Sequence, residues 1–232
     1  MVPSGYGSAY VRADPVLAAG IGVRRGGSWP IRSASFRISA PEPGRSVLGI
    51  LIDHPAQAAA LVDVLAGVTR PAYGELRVLG HDMATIRGRV AVRHRVGVAR
   101  RAARPLPGLH IRGLVEHGTR LASRNRSDRS LLAAAILDRL SLLPWADVAL
   151  RAAPDAVARR ARLAAAAAHQ PELLLLDALL DGLPLRDVTA LADAVRDLSR
   201  DSAVLLAGCD REALLLTCDD VLVLANGVLV SA

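Results

Sequence analysis

A chain of 232 residues, 52% hydrophobic and 22% charged, is long enough to bury a substantial core and too apolar to remain disordered. Its formal charge of +7 rests on 29 basic residues, all arginine, scattered with only short clusters such as Arg100, Arg101, Arg104 and Arg159, Arg160, Arg162; this reads as a solvated surface more than as a nucleic-acid footprint. The longest apolar stretches fall short of the roughly 18 residues that span a bilayer, no basic-then-apolar leader opens the chain, and Cys209 and Cys218 have no framework around them, so a cytoplasmic protein is expected.

Residues 1–14 are polar with Gly and Ser, which predicts a loose terminal segment ahead of one domain over 15–232. Residues 33–39 alternate as a half-buried strand, Pro41, Pro43 and Gly44 make a turn, and residues 47–52 form a continuous apolar run suited to a strand buried on both faces. A helix is expected over 56–66 with Gly67 as its stop. A turn at 71–74 leads to a strand over 76–79, ended by Gly80-His81-Asp82, and 96–99 is another short strand. From about 105 to 151 the pattern becomes helical, with Leu131, Leu132, Ile136, Leu137 and Leu140 on one face, a helical insertion. Then follow a helix over 157–168, a buried strand over 173–176 closing on Asp177, a helix over 185–199, a strand over 204–207 and a helix over 211–217. Residues 221–224 and 228–230 are strands joined across Asn226-Gly227, a strong hairpin signal. Alternating strands and helices predict an α/β fold with helices on both faces of a sheet, in which 47–52, 173–176 and 204–207 are adjacent parallel strands.

The order and wording of several segments resemble the nucleotide-binding domain of ATP-binding cassette (ABC) transporters. Leu65-Ala66-Gly67-Val68-Thr69-Arg70-Pro71, then Gly74-Glu75, then Val78-Leu79-Gly80-His81-Asp82 resemble the stretch after that family's phosphate-binding helix. Pro171-Glu172, the run 173–176, Asp177 and Gly182-Leu183 resemble its Walker B and D-loop region, and Cys218-Asp219 with the final hairpin resembles its end. The resemblance runs from about Ala34 to the C-terminus and implies a P-loop NTPase-like cassette sheet flanked by helices, with a helical insertion.

In that family the first buried strand enters a G-x-x-x-x-G-K-[ST] loop, whose glycines permit the turn, whose N–H groups face phosphate and whose lysine reaches the outer phosphates. The corresponding segment here is Ile52, Asp53, His54, Pro55, Ala56, Gln57, Ala58 and Ala59. Ile52 and Gln57 stand at the glycine positions, Ala58 at the lysine and Ala59 at the magnesium-binding hydroxyl, while Pro55 removes an N–H donor and Asp53 adds a charge that repels phosphate. A plain strand-to-helix turn, with Asp53 as N-cap and Pro55 in the first turn, accounts better for these residues. The resemblance places Arg100 and Arg101 at the Q-loop glutamine, Ala153-Pro154-Asp155-Ala156-Val157 at the LSGGQ signature, Ala178 at the general-base glutamate, Leu179 at the following proline, Pro184 at the D-loop aspartate and Cys209 at the switch histidine. Asp177 alone keeps the family's identity, as the Walker B carboxylate, and a lone carboxylate is a poor Mg²⁺ site; pairing or capping at the strand end is its expected role. Cys209 has no histidine nearby in sequence and reads as a small buried residue. The histidines at 54, 81, 94, 110, 117 and 169 show no metal-ligand spacing.

With lysine, glycines, metal ligand, base and sensor all replaced, little remains to accelerate phosphoryl transfer. The expectation is a catalytically degenerate ABC-type subunit, without ATP or Mg²⁺ as cofactors. Its partner would be a membrane-embedded permease meeting the helical insertion, an active ATPase subunit, or a second copy as dimer, with the chain peripheral on the cytoplasmic face. Two alternatives stay open on sequence: an ATPase subunit that still binds and hydrolyses ATP weakly with Mg²⁺, and an arginine-rich nucleic-acid-binding regulator.

Overall fold

A computed structural model describes residues 14–39, 47–101 and 108–231. The N-terminal segment up to residue 13, the turn at Pro41, Pro43 and Gly44, and the start of the helical insertion at 105–107 lie outside the described residues. Ten strands form one sheet: β1 (Val16–Arg25), β2 (Ser28–Ile38), β3 (Val47–Ile52), β4 (Tyr73–Val78), β5 (His81–Asp82), β6 (Val96–Arg100), β7 (Leu173–Asp177), β8 (Ala203–Gly208), β9 (Asp220–Ala225) and β10 (Val228–Ser231). Their order is β5-β4-β1-β2-β10-β9-β3-β8-β7-β6. β9, β3, β8, β7 and β6 run parallel, whereas β5, β4, β1 and β2 are antiparallel. The three strands expected side by side are adjacent, as β3-β8-β7.

The parallel strands read as unbroken apolar runs because both faces are covered. In β7, Leu174 and Leu176 pack on one side while Leu173 and Leu175 pack on the other. The first face is covered by α3 (Ile111–Gly118), α4 (Arg126–Arg139), α5 (Asp155–Ala167), α6 (Leu185–Leu198) and α7 (Arg211–Thr217). The second face packs α1 (Pro55–Leu65) against the antiparallel strands. Among the described residues no helix is long and apolar enough to cross a membrane.

Two elements carry no expectation from sequence. In β1 the buried residues run Val16, Ala18, then Ile21 and Val23, and the pairing with β2 shifts register between Ala18 and Ile21; this bulge at Gly20, with φ +58°, breaks the period of two that would reveal a strand. Helix α2 (Ile86–Val92) is short and contains Gly88, where a Cβ would meet the Asp82 carbonyl oxygen at 2.0 Å. Two details differ from expectation. The strand expected over 76–79 ends at Val78, just before Gly80 as expected, but His81-Asp82 is not only a terminator: Leu79 and Gly80, both at positive φ, turn the chain back so that it forms β5 against β4. Leu131 is 71% exposed, so the buried face of α4 is Ala133, Ile136 and Leu137, with Leu140 just beyond it.

Candidate functional site

The parallel strands β3, β7 and β8 all end at one edge of the sheet, where the segments that follow them meet. Only Asp53 and His54 separate β3 from α1. The N-cap is His54, not Asp53: its Nδ1 accepts from the Ala56 N–H at 3.2 Å, and Pro55 opens the helix. Gln57, three residues on, turns its side chain back, and its Oε1 accepts from the N–H groups of both Asp53 (2.9 Å) and His54 (3.2 Å). This is a capping box with glutamine at its third position. Asp53 is drawn away from the cap because its Oδ2 accepts from the Asn226 N–H at 2.7 Å, in the turn between β9 and β10. Donors of the kind that would cradle a phosphate are therefore held by the chain's own side chains. Helix begins at Pro55, and Ala58, expected at the lysine position, is fully buried in the core. Ile52 is likewise buried within β3, Ala56 is exposed and Ala59 half-buried.

Asp177 ends β7 beside β6, in register with Arg100. The Arg100 guanidinium donates to Asp177 Oδ2 at 2.9 Å and to Asp63 Oδ1 of α1 at 2.5 Å, and Asp63 also lies 3.4 Å from Arg25. Asp177, expected as the Walker B-like carboxylate, thus faces an arginine supplied by the same chain. Burial pushes the Asp177 carboxyl above its ordinary value, against the pull of Arg100. Arg101, next in line, donates its N–H to the Asp177 carbonyl at 2.9 Å.

The segment after β7 is tied to distant parts of the fold. Ala178, expected at the general-base position from the resemblance, has φ +52° and donates its N–H to the Ala207 carbonyl. Asp181 accepts from the N–H groups of Cys209 (3.0 Å) and Asp210 (3.3 Å). Arg159 of α5, only 1% exposed, donates to the carbonyls of Leu179 (3.0 Å) and Asp181 (2.8 Å) and to the Asp155 carboxylate. Asp155, expected from the resemblance at the signature position, is held below its ordinary carboxylate value by its hydrogen bond from Arg159. Only the Arg159–Asp155 pair, four residues apart, leaves a local signal in the sequence; the other partners of Arg159 and Asp181 lie 20 to 29 residues away.

Cys209 is exposed and not buried as its size suggested; it lies just past β8, where both its backbone N–H and its thiol meet the Asp181 carboxylate. Burial raises its thiol above the ordinary value, and raises that of Cys218, packed against Gly49, to about 12, so neither is a ready nucleophile at neutral pH. Among the described residues no group of His, Cys, Asp and Glu could hold a metal ion.

No family model matches the chain. It is 26% identical over 188 residues to the methionine import ATP-binding protein MetN 2 of Burkholderia mallei; the match takes in 79% of this chain but 48% of that one, so the chain spans about half the length of that relative. It is 26% identical over 202 residues to the molybdate/tungstate import ATP-binding protein WtpC of Archaeoglobus fulgidus, covering 86% of this chain and 82% of that one. Among solved structures, CbiO1 from Clostridium perfringens, described as part of the ABC transporter complex cbiONQ, superimposes with a TM-score of 0.80 at 15% identity, covering 94% of this chain and 87% of that one. The chain thus has the fold of an ATP-binding cassette and is similar in sequence, over most of its length, to ATP-binding proteins of import systems.

Proposed function

We propose that this chain is a non-catalytic ABC subunit, one that assembles with a membrane-embedded permease or with an active ATPase subunit without turning over ATP itself. The observation that carries this reading is Gln57 Oε1 on the Asp53 and His54 N–H groups, in a connection only two residues long. A nucleotide's phosphates would have to displace that side chain, melt the first turn of α1 and overcome the negative charge of Asp53. The Arg100 bridge supports the same reading, since a magnesium ion approaching Asp177 meets a guanidinium already bonded to it. Ala178 offers no base to orient water. Relatives named as ATP-binding proteins of import systems, and a structural neighbour described as part of a transporter complex, support assembly with transport partners. The proposed contact lies on the helical region around α3 and α4, at the cytoplasmic face of the membrane.

Calorimetric titration of the purified chain with MgATP tests the proposal against weak ATP hydrolysis. The expected result is no binding heat at millimolar nucleotide and no rise in unfolding temperature, where a ligand at a hundred times its Kd would add about 2.7 kcal/mol. Micromolar affinity, or measurable phosphate release, overturns it.

A further inference from the structure

Helix α2 and the turn after α1 share a surface on the face of the sheet opposite α3 and α4. Val92 of α2 packs in the core beneath α1, and Arg93 donates to the Gly67 carbonyl at 3.0 Å, which holds the turn at 67–70 beside the helix. The outward stripe of α2 is Ile86, Val90 and Arg93, at helical spacing, with Arg87 and His94 exposed next to it. Ile86 is 74% exposed, Val90 52% and, in the turn, Val68 60%, with Arg70 exposed two residues on. The sequence has no aspartate or glutamate between Asp82 and Glu116, and Asp82 accepts from the Ala84 N–H at 2.9 Å. Whereas Arg95 holds Glu172 at 2.6 Å, none of Arg70, Arg87 and Arg93 forms an ion pair among the described residues. Other strongly exposed aliphatic side chains stand beside both signs of charge: Leu131 shares α4 with Asp128, Leu185 shares α6 with Asp187, and Leu215 shares α7 with Glu212.

Aliphatic side chains set among unpaired arginines suit a layer that is anionic outside and apolar beneath. Arginines meet lipid phosphates while aliphatic groups enter the headgroup region and leave water. The backbone of a nucleic acid would satisfy the arginines as well, but it would give Ile86, Val90 and Val68 no apolar surface to bury against. We infer that the α2 surface docks on an anionic phospholipid bilayer. The inference rests on the proposed location at the membrane face and uses a surface separate from the proposed permease contact. Lipid vesicles test it without permease or nucleotide, so its failure leaves the reading of the β3–α1 connection untouched.

Co-sedimentation of the purified chain with vesicles is the test, with equal parts of phosphatidylcholine and phosphatidylglycerol compared against phosphatidylcholine alone. Binding is expected to the anionic vesicles only, and to fall as salt is raised. The double variant Arg70→Gln with Arg87→Gln should weaken it by about twentyfold, since each arginine near an anionic surface contributes about fivefold. Arg186→Gln with Arg200→Gln removes the same charge at the two ends of α6, from side chains 86% and 79% exposed, and should leave binding unchanged. Ile86→Ser, at a side chain outside the core, should weaken binding by about fivefold through lost apolar burial. The inference is overturned by no binding to the anionic vesicles, by equal binding to phosphatidylcholine, by unchanged binding of Ile86→Ser, or by an equal loss in the two arginine pairs, which would make net charge alone the cause. Tighter binding of duplex DNA that is lost with Arg70 and Arg87 would assign the surface to nucleic acid and would overturn it too.

Discussion

The connections that follow β3 and β7 leave the same edge of the sheet and solve one problem in opposite ways. Both must satisfy backbone N–H and C=O groups that the strands no longer pair. After β3 the answer is local: His54 and Gln57 cap the residues within four positions of themselves. After β7 it is distant: Arg159 reaches the carbonyls of Leu179 and Asp181 from α5, and Asp181 collects the N–H groups of Cys209 and Asp210 beyond β8. A locally closed turn is complete once its helix forms. A turn closed from afar is complete only when α5, β7 and β8 are all in place, so its parts stand or fall together.

If that contrast is right, the largest effect belongs to Arg159. Arg159→Met leaves two buried carbonyls without their donor, and thermal or urea unfolding should show a loss of about 2–4 kcal/mol. A loss below a tenth of that would mean that the distant bonds are incidental. Next come two single changes, one at each connection. Asp181→Ala strands two N–H groups and should cost about 1–3 kcal/mol, whereas Gln57→Ala removes one arm of a cap on a partly wetted turn and should cost about 1 kcal/mol. Double-mutant cycles sharpen the comparison, because Asp181 should couple to Arg159 through the shared segment while Gln57 should add independently of both. Equal coupling for the two would erase the distinction.

The smallest effect is in pH. Arg159 lowers the Asp155 carboxyl in the folded chain, so the unfolded chain takes up the proton first on acidification. The stabilisation is thus present above the unfolded value near 3.9 and is lost as pH falls through the lower folded value. Asp155 is 64% exposed and solvent screens the pair, so the contribution is a few tenths of a kcal/mol. Asp155→Asn should flatten the acid limb of the stability curve by that amount, and a steeper limb would contradict the assignment.

How far each connection could be read from the sequence follows the same division. The helix over 56–66 is visible from its composition, and Pro55 with Gln57 two residues later already announces a helix start; the cap fell one residue off, on Asp53 instead of His54, because Asn226 claims the Asp53 carboxylate from 173 residues away. The strands over 47–52, 173–176 and 204–207 are legible because burial on both faces leaves a short apolar run rich in Leu, Ile and Val. β1 is hidden because a bulge breaks its alternation. Cys209 looked buried by type, yet the loop it occupies faces outward.

The sequence by itself determined the α/β order and the parallel core, and it supplies the residues of the β3–α1 connection on which the proposed loss of phosphate handling rests, since these depend on residue identity and short-range pattern. Only the tertiary structure decided which groups meet at that edge of the sheet: Gln57 on the Asp53 and His54 amides, Arg100 between Asp63 and Asp177, Arg159 beneath the segment after β7. The physical reason is that a hydrogen bond or ion pair is a matter of a few ångströms in space, and chain order constrains that distance only where the partners lie within a turn or two of one another.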